Sequence, residues 1–391
     1  MKIAVIGQGY VGLPLAIAAA KAGHEVLGID QKVSLVDALN SGKSPIGDIA
    51  DSDIQEVISL GNYRAESGFD GISAAEIVVV CVPTPLNSEH QPDLAPLTSA
   101  TQSIAQNMTD GALVIIESTV SPGTTRGLIA GILDKTGRRY ELVYSPERID
   151  PANPKWRISN TPKLVAGITE SATQRAVTFY TTFIETVIKG SSPEVIETAK
   201  LLENSFRLIN ISFINELAEF CWKMNIDVRE VVDAAATKPY GFMPFYPSAG
   251  VGGHCIPVDP SYLVAKAKEI GASTKFIDLA NSFNNSLPIY FTGVAAGLLG
   301  TLKNKKILLV GIAYKPNVSD VRETPAEGLI QALRKAGAEV FWHDDMVQNW
   351  RGEESVALSE KYDLAILVNP HSGTNLQVLG KTPVLDTRGG Y

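Results

Sequence analysis

The sequence predicts an α/β protein in which two Rossmann-like, doubly wound lobes are joined by a long central helix and a helical middle domain. Short apolar runs alternate with helical patterns in the first half, a long stretch without Gly or Pro follows, and parts of the last region closely copy parts of the first. The chain of 391 residues is long enough for several cores, and we expect domains at 1–191, 192–300 and 301–391.

The apolar runs of the first domain are expected to form buried parallel strands, because both faces of such a sheet are covered by crossover helices. These runs cover residues 3–6, 25–29, 77–82, 112–116, 141–143 and 163–166.

The central helix has a clear start signal. Ser192 can cap it, Pro193 suits the first helical position, and Glu194 is favoured at the positive end of the helix. Because neither Gly nor Pro occurs again before Pro239, we expect helices over 193–224 and 228–236. They are expected to form a spine between the lobes and a homodimer contact.

The last region repeats the pattern of the first, with a strand over 306–311, a helix over 326–336 and a strand over 339–342. Residues 335–340 closely copy 21–26, and 307–311 echo 3–7. Where the first lobe has Gly9 and Gly12, this lobe has Ala313 and Pro316, so it is not expected to hold a dinucleotide in the same way.

Composition excludes several classes of protein. The net charge of -8 argues against a nucleic-acid partner, and three scattered cysteines fit neither a disulfide framework nor a metal site, which favours a reducing cytoplasm. Residues 1–24 resemble a secretory signal, but Gly7, Gln8 and Gly9 interrupt the apolar run. No other stretch approaches the ~20 apolar residues that span a bilayer, so no membrane association is expected.

A glycine-rich turn follows the first predicted strand and opens a helix. The turn reads Gly7-Gln8-Gly9-Tyr10-Val11-Gly12, and Asp30 ends the next strand. Such glycines permit a tight turn, close approach of a pyrophosphate and helix–strand packing, while a carboxylate at the second strand accepts hydrogen bonds from a ribose and repels a 2′-phosphate. The pattern predicts NAD as cofactor, with a flavin or a non-binding turn as the alternatives.

A second glycine-rich segment, 250–260, carries Cys255 directly after Gly252, Gly253 and His254. The two glycines are expected to let the backbone approach a ligand. A thiolate can add to an aldehyde to give a hemithioacetal. Transfer of its hydride to a second NAD gives a thioester, which can be hydrolysed. The alternative is a structural cysteine beside a turn, the role expected for Cys81 and Cys221.

Seven segments run through the whole chain in one order. They are Gly7-Gln-Gly-Tyr-Val-Gly-Leu-Pro, Cys81-Val-Pro-Thr-Pro, Glu117-Ser-Thr-Val-Ser-Pro-Gly-Thr, Tyr144-Ser-Pro-Glu-Arg, Glu197-Thr-Ala-Lys-Leu-Leu-Glu-Asn, Gly252-Gly-His-Cys-Ile-Pro-Val-Asp and Ala313-Tyr-Lys-Pro-Asn. With them the chain resembles the nucleotide-sugar 6-dehydrogenases, the family that includes UDP-glucose dehydrogenase. The resemblance implies a UDP-sugar substrate.

The resemblance also implies roles for single residues. Cys255 is the covalent nucleophile. Lys200 and Asn204 are four residues apart and so lie on one helix face. Lys200 stabilises the oxyanion, and Asn204 hydrogen-bonds the reacting sugar oxygen. Asp259 and Glu147 organise proton transfer and the hydrolytic water. Each of these polar residues also has an ordinary structural interpretation. Lys200 and Asn204 fit a solvated helix face, Asp259 fits a turn before Pro260, and Glu147 fits a carboxylate at the start of a helix.

Further residues are implied at the two ligands. Thr119 is expected near the hydrolytic water or the nicotinamide, and Thr84 near the cofactor. Tyr246 and Gly252 are assigned to the substrate, as is Lys315, which is expected to meet a substrate phosphate. Arg322 serves either the substrate or the NAD phosphates; for Lys315 and Arg322 the alternative is surface solubility.

The flanks of the cysteine bear on the sugar. Here His254 precedes the cysteine, and Val258 stands where the UDP-glucose branch has lysine. These flanks and residues 238–247 resemble the branch that acts on UDP-N-acetylhexosamines. UDP-N-acetylglucosamine is expected first, ahead of UDP-N-acetylmannosamine, UDP-N-acetylgalactosamine and UDP-glucose. Ser248-Ala249-Gly250 replaces the family's Gly-Pro-Gly.

The predicted reaction is a two-step, four-electron oxidation of the sugar C6 alcohol to a uronate. A single-step hydroxyacid dehydrogenase, with Lys200 and Asn204 but no covalent step, is the nearest alternative. A non-catalytic NAD-binding scaffold that oligomerises through the long helix is the alternative from another class, and it has no need for Cys255, Lys200 and Asn204 together.

Overall fold

The computed structural model describes residues 1–47, 49–89, 91–150 and 153–389. The chain folds as two compact units. The first comprises Met1–Leu202 with Ser261–Gly271, and the second comprises Glu203–Pro260 with Ala272–Tyr391.

The first unit is a sheet of eight strands with helices in the crossovers. Its strands are β1 (Lys2–Ile6), β2 (Glu25–Ile29), β3 (Tyr63–Glu66), β4 (Ile77–Val80), β5 (Ala112–Ile116), β6 (Tyr140–Tyr144), β7 (Lys163–Gly167) and β8 (Val187–Lys189). Its helices are α1 (Gly12–Lys21), α2 (Val33–Asn40), α3 (Asp51–Ser59), α4 (Ala95–Asn107), α5 (Ala130–Leu133) and α6 (Glu170–Tyr180).

The strand order of this sheet is β3-β2-β1-β4-β5-β6-β7-β8. Strands β1 to β6 are parallel, and two apolar cores of buried side chains cover the two faces, as predicted for a doubly wound sheet. One prediction is wrong: β7 runs antiparallel to β6. The short loop-rich segment between them contains no crossover helix among its described residues, so the chain reverses direction.

The remaining helices and strands follow in chain order. The helices are α7 (Pro193–Lys223), α8 (Val228–Ala236), α9 (Asp259–Glu269), α10 (Lys275–Leu299) and α11 (Pro325–Lys335). The strands are β9 (Lys306–Val310), β10 (Glu339–His343), β11 (Asn349–Trp350), β12 (Glu353–Glu354), β13 (Leu364–Leu367) and β14 (Val384–Asp386).

The second unit is built on a four-stranded parallel sheet with the order β10-β9-β13-β14. α11 connects β9 to β10, and both α10 and α11 contribute side chains to the apolar core on one face. The long helix and the strand–helix–strand repeat predicted from the sequence are thus confirmed to within one or two residues at their ends.

A buried ion pair in the first unit joins the residue that follows β5 to the first residue of β7. Lys163 Nζ lies 2.8 Å from Glu117 Oε2, and the Tyr180 hydroxyl donates to Glu117 Oε1. Burial raises the pKa of Glu117 above its ordinary value, while the charge and hydrogen bond of Lys163 oppose that shift. The carboxylate therefore depends on its cation to stay ionised.

No helix within the described ranges combines the length and the apolar character that a bilayer crossing demands.

We expect Lys163→Met to destabilise the protein by about 3–5 kcal/mol at neutral pH, since it leaves a buried carboxylate without its cation. The folded-state pKa of Glu117 lies above its unfolded value, so the folded state gains stability as the pH falls through it. The loss should accordingly shrink in acid.

Denaturant unfolding at several pH values measures this effect. Lys189→Met is the matched control, because Lys189 pairs at 3.2 Å with an exposed Glu170 and should cost about 1 kcal/mol or less. Equal losses in the two variants at neutral pH would contradict the assignment.

Candidate active site

The cofactor residues predicted from the sequence lie at one edge of the first sheet. Gly7 follows β1, Asp30 follows β2, Thr84 lies after β4 and Thr119 after β5, while Glu147 follows β6. Because these strands are parallel, their carboxyl ends meet at the same edge. The strand order reverses between β1 and β4, and this switch point is where doubly wound sheets bind ligands.

Each of the three glycines of the first turn is required for a different structural reason. Gly7 has a φ of +90°, which a residue with a side chain rarely adopts. A Cβ at Gly12 would lie 1.8 Å from the Gly7 carbonyl oxygen, so only glycine lets helix α1 start this close to the strand. A Cβ at Gly9 would meet nothing within 4 Å, and its absence keeps the backbone open to a ligand. These are the features that a dinucleotide pyrophosphate requires.

Asp30 holds this turn through hydrogen bonds to its backbone. Its Oδ2 accepts the backbone N–H of Gln8 at 2.9 Å, and its Oδ1 accepts that of Lys32 at 3.0 Å. The side chain stays partly exposed, and each carboxylate oxygen keeps capacity for a further hydrogen bond.

The other cofactor candidates lie on the same edge. Tyr10 packs partly buried against the apolar core, and Val11 stands immediately before α1. Thr84 is held through its carbonyl oxygen, which accepts the hydroxyl of Tyr262 at 2.9 Å. Thr119 lies half-buried beside Ser118, whose hydroxyl donates to the Val82 carbonyl at 2.7 Å.

Lys200 and Glu147 come together in the first unit. Lys200 is buried in the first part of α7, and its Nζ donates to the Glu147 carbonyl oxygen at 2.8 Å. The Glu147 carboxylate accepts the backbone N–H of Ile149, so the loop after β6 is folded around this residue. Glu147 is not a helix-start residue, which removes that alternative.

Sequence reasoning missed one residue of this group. Glu197 is fully buried on α7, and its carboxylate accepts the backbone N–H groups of Gly123 at 2.6 Å and Thr125 at 2.9 Å. It therefore holds the segment that follows Thr119, three residues before Lys200 on the same helix. The signal was present, since Glu197 opens one of the seven quoted segments.

Asn204, Asp259 and Cys255 come together in the second unit. Asn204 Nδ2 donates to Asp259 Oδ2 at 2.6 Å, and Asp259 is 2% exposed. The backbone N–H of Asp259, the first residue of α9, donates to the Cys255 carbonyl oxygen at 2.8 Å. Cys255, the predicted nucleophile, is thus one turn of backbone from the Asp259 carboxylate. That carboxylate accepts a hydrogen bond from Asn204, which is predicted to bind the substrate.

The three cysteines differ in exposure. Cys255 is exposed, whereas Cys221 is buried and Cys81 is partly so. Burial raises the pKa of the Cys81 thiol well above its ordinary value, and that of Cys221 as well. Since the thiolate is the nucleophile, these two cysteines are unsuited to covalent catalysis.

The structure shows a packing role for Gly252 and Gly253, whose expected approach to a ligand stays a prediction. A Cβ on Gly253 would lie 2.8 Å from the Tyr314 ring, and one on Gly252 would lie 2.8 Å from Pro325 Cδ. The glycines let the segment before Cys255 pack directly on the loop after β9. The sequence could not show this, because the packing partner is some sixty residues away.

The phosphate candidates lie on that same loop. Lys315 is half-buried there, whereas the exposed Arg322 forms an ion pair of 2.5 Å with Asp320. Burial acts to raise the pKa of Asp320, but the hydrogen bonds and charge of Arg322 outweigh it and the pKa is lowered. Tyr246 is exposed and donates its hydroxyl to Asp233 at 2.6 Å.

This fold and glycine turn define an NAD-dependent dehydrogenase with a second nucleotide-binding lobe. The models of the UDP-glucose/GDP-mannose dehydrogenase family match almost the whole chain, with the NAD binding domain at 1–184, the central domain at 194–286 and the UDP binding domain at 308–389. The chain belongs to this family, and it is an NAD-dependent oxidoreductase of nucleotide sugars.

Individual relatives support this membership. The chain is 32% identical to the UDP-N-acetyl-D-mannosamine dehydrogenase of Pyrococcus horikoshii, over 98% of this chain and 93% of the relative. It is 34% identical to the UDP-N-acetyl-D-glucosamine 6-dehydrogenase of Pseudomonas aeruginosa, over 97% and 94%. The solved structure of UDP-D-ManNAc dehydrogenase from Pyrococcus horikoshii matches with a TM-score of 0.91 at 31% identity, covering 99% of this chain and 95% of that one.

We expect Gly9→Ala to fold normally and to weaken NAD binding by at least tenfold, because the added methyl group enters the space open to the pyrophosphate. Gly12→Ala should lower both NAD affinity and the melting temperature, since its Cβ collides with the Gly7 carbonyl.

Titration calorimetry with NAD and thermal unfolding measure the two effects. Gly131→Ala is the control, because a Cβ there meets nothing within 4 Å and lies on α5 away from the turn. Wild-type NAD affinity in Gly9→Ala would show that this glycine does not face the cofactor.

Proposed function

We propose that this protein oxidises the C6 alcohol of a UDP-N-acetylhexosamine to the carboxylate in two steps, through a thioester on Cys255. The observation that carries the proposal is the position of the exposed Cys255, one turn of backbone from the buried Asp259. The Asp259 carboxylate accepts a hydrogen bond from the Asn204 side chain. The domains 1–191, 192–300 and 301–391 would then supply the NAD site, the nucleophile and the UDP site.

When bound, NAD would serve as hydride acceptor, and two NAD molecules in succession would each take one hydride from C6. The first oxidation removes a hydride and the hydroxyl proton and gives an aldehyde. The Cys255 thiolate forms a C–S bond to the aldehyde carbon, and loss of the second hydride converts this hemithioacetal into a thioester. Water attacks the thioester carbonyl and the C–S bond breaks, which returns the thiol and yields the uronate.

The polar residues have distinct roles in this proposal. Asn204 orients the sugar oxygen, and the cation of Lys200 stabilises the negative charge on oxygen in the tetrahedral states. Asp259 and Glu147 move protons during alcohol oxidation and thioester hydrolysis, with Thr119 holding the water. The pairing of Asn204 with Asp259 supports a joint role for these two residues, and the contact of Lys200 with Glu147 supports a joint role for those two.

NAD and the UDP end take the remaining candidates. Gly7, Gly9, Gly12 and Asp30 would hold the dinucleotide, with Tyr10, Val11, Thr84 and Thr119 beside it. Lys315 would meet the substrate phosphates. Tyr246 and Gly252 would line the sugar site, and Arg322 would serve a phosphate of either ligand.

UDP-N-acetylglucosamine is the first candidate substrate and UDP-N-acetylmannosamine the second. The two relatives with these names align over at least 97% of this chain, which supports an N-acetylated hexose. Val258 in place of the lysine of the UDP-glucose branch supports the same choice.

We also propose a homodimer through α7. Phe206, Phe213 and Phe220 lie seven residues apart on one face of this helix and are 45%, 58% and 58% exposed. An exposed apolar stripe of this kind marks an interaction surface. A second copy of the chain fits it, because a two-fold axis places the same apolar face on both partners.

We expect wild-type protein to form two NADH per UDP-N-acetylglucosamine and to release a uronate. Cys255→Ala should form no uronate while binding NAD normally, because the thioester cannot form. Cys221→Ala is the matched control, since this thiol is buried in a small apolar core with Ala218 and Val232. NADH absorbance and mass analysis of the product are measured for four UDP-sugars, namely the three N-acetylhexosamine epimers and UDP-glucose.

One NADH per substrate, or undiminished turnover in Cys255→Ala, would refute the covalent route. A higher kcat/KM with UDP-glucose than with all three N-acetylhexosamines would reject the substrate assignment alone.

We expect Phe213→Asp to convert the dimer into a monomer, because it buries a charge at the centre of the apolar stripe. Light scattering after gel filtration should give twice the chain mass of 41.9 kDa for the wild type. Leu60→Asp is the control, since this exposed leucine lies in the first unit and is not on α7. A monomeric wild type, or a dimeric Phe213→Asp, would rule out this surface.

A further inference from the structure

The first part of the loop after β9, residues 311–317, is held at its start by two buried side chains of the same lobe. Asp344 Oδ2 accepts the backbone N–H groups of Ile312 at 2.8 Å and Ala313 at 3.1 Å. Asn369 Nδ2 donates to the carbonyl oxygens of Ala313 at 3.0 Å and Tyr314 at 3.1 Å. We refer to residues 311–317 as the lysine loop, because they carry Lys315.

The far end of the lysine loop is held by His371 and Ser372. The backbone N–H of Asn317 donates to His371 Nδ1 at 2.8 Å. The Asn317 side-chain oxygen accepts from the backbone N–H and the hydroxyl of Ser372, both at 3.0 Å. Asn317 has a φ of 63°, a strained backbone conformation that persists only when its surroundings fix it.

A single ring connects the two ends of the loop. His371 is buried, its Nε2 lies 2.8 Å from Asp344 Oδ1, and its Nδ1 faces the N–H of Asn317. A neutral imidazole with its proton on Nε2 satisfies both contacts, because it donates to the carboxylate and accepts from the amide. Asp344, which holds the start of the lysine loop, is therefore linked through His371 to Asn317 at the end of that loop.

The lysine loop also supports the segment that leads to the proposed nucleophile. The Tyr314 ring fills the space beside Gly253. Just beyond the lysine loop, the Arg322 carbonyl accepts the Gly253 N–H at 3.2 Å. A displacement of the loop would thus reach both Lys315 and the backbone before Cys255.

We propose that His371 is a positioning residue for substrate binding: through Asn317 it fixes the lysine loop so that Lys315 is held for the substrate diphosphate. This inference rests on the proposed function, which assigns Lys315 to the phosphates.

Protonation of His371 provides a signature that packing alone would not give. Asp344 and Asp345 face the ring from the end of β10, and Asp345 also contacts His343 and Thr374. The hydrogen bond to Asp344 raises the pKa of His371, against the effect of its burial. Below that pKa both ring nitrogens carry protons, so the contact with the Asn317 N–H is lost. UDP affinity should then fall as the pH decreases.

Two amide variants separate the two contacts of the ring. The amide of His371→Gln reaches the Nε2 position and can still bond Asp344, but it leaves Asn317 without its acceptor. The amide of His371→Asn lies at the Nδ1 position and can still accept from Asn317, but it no longer reaches Asp344. Titration calorimetry with UDP on the full-length protein is the measurement, with NAD titrated in parallel.

We expect His371→Gln to raise the Kd for UDP about tenfold and His371→Asn to raise it less than threefold, with NAD affinity unchanged in both. The fall of UDP affinity in acid should be weaker in His371→Asn than in the wild type. Ser355→Ala is the control, because Ser355 Oγ bonds the backbone of Asp344 and no atom of the lysine loop.

Equal weakening by the two amide variants would overturn the inference, as would wild-type UDP affinity in His371→Gln. Lys315→Met distinguishes this failure from failure of the proposed function. If Lys315→Met weakens UDP binding and His371→Gln does not, only the role of His371 is wrong. If Lys315→Met binds UDP like the wild type, the phosphate assignment fails and the inference fails with it.

Discussion

In both Rossmann-like lobes, a carboxylate at the end of the second strand holds the loop that follows the first. Asp30 accepts the N–H of Gln8, and Asp344 accepts the N–H groups of Ile312 and Ala313. The contact exists because parallel pairing of neighbouring strands brings their carboxyl ends to one edge. The proposed sites at the glycine turn and at Lys315 both lie on loops whose first residues are fixed in this way.

The same contact has different consequences in the two lobes. Asp30 remains partly exposed and accepts two backbone groups, so it keeps capacity for the hydroxyls of a ribose. Asp344 is 1% exposed and accepts four backbone N–H groups besides His371, so it has no capacity left for a ligand. One lobe is thereby suited to a dinucleotide, whereas the other uses its carboxylate to set the loop that carries Lys315.

Much of this could be predicted from sequence, because the buried strands are continuous apolar runs and Pro193 marks the start of α7. The strand β3 was missed, since Tyr63–Glu66 is short and alternates between buried and exposed positions. The reversal at β7 was missed because pairing direction leaves no trace in a single strand. In the site, the spacing of Lys200 and Asn204 correctly placed both on one helix, but the contacts of Gly253, Glu197 and His371 join residues distant in sequence and become visible only in the folded chain.

The continuity of α7 over 31 residues constrains how the sequence can change in length. Each residue advances an α-helix by about 100°, so inserting or deleting one between Asn204 and Phe213 would rotate the rest of the helix by that angle relative to its start. Asn204 and the phenylalanine stripe could not then both keep their present orientations. A substitution on this helix alters one side chain, whereas an insertion or deletion changes the direction of every side chain beyond it.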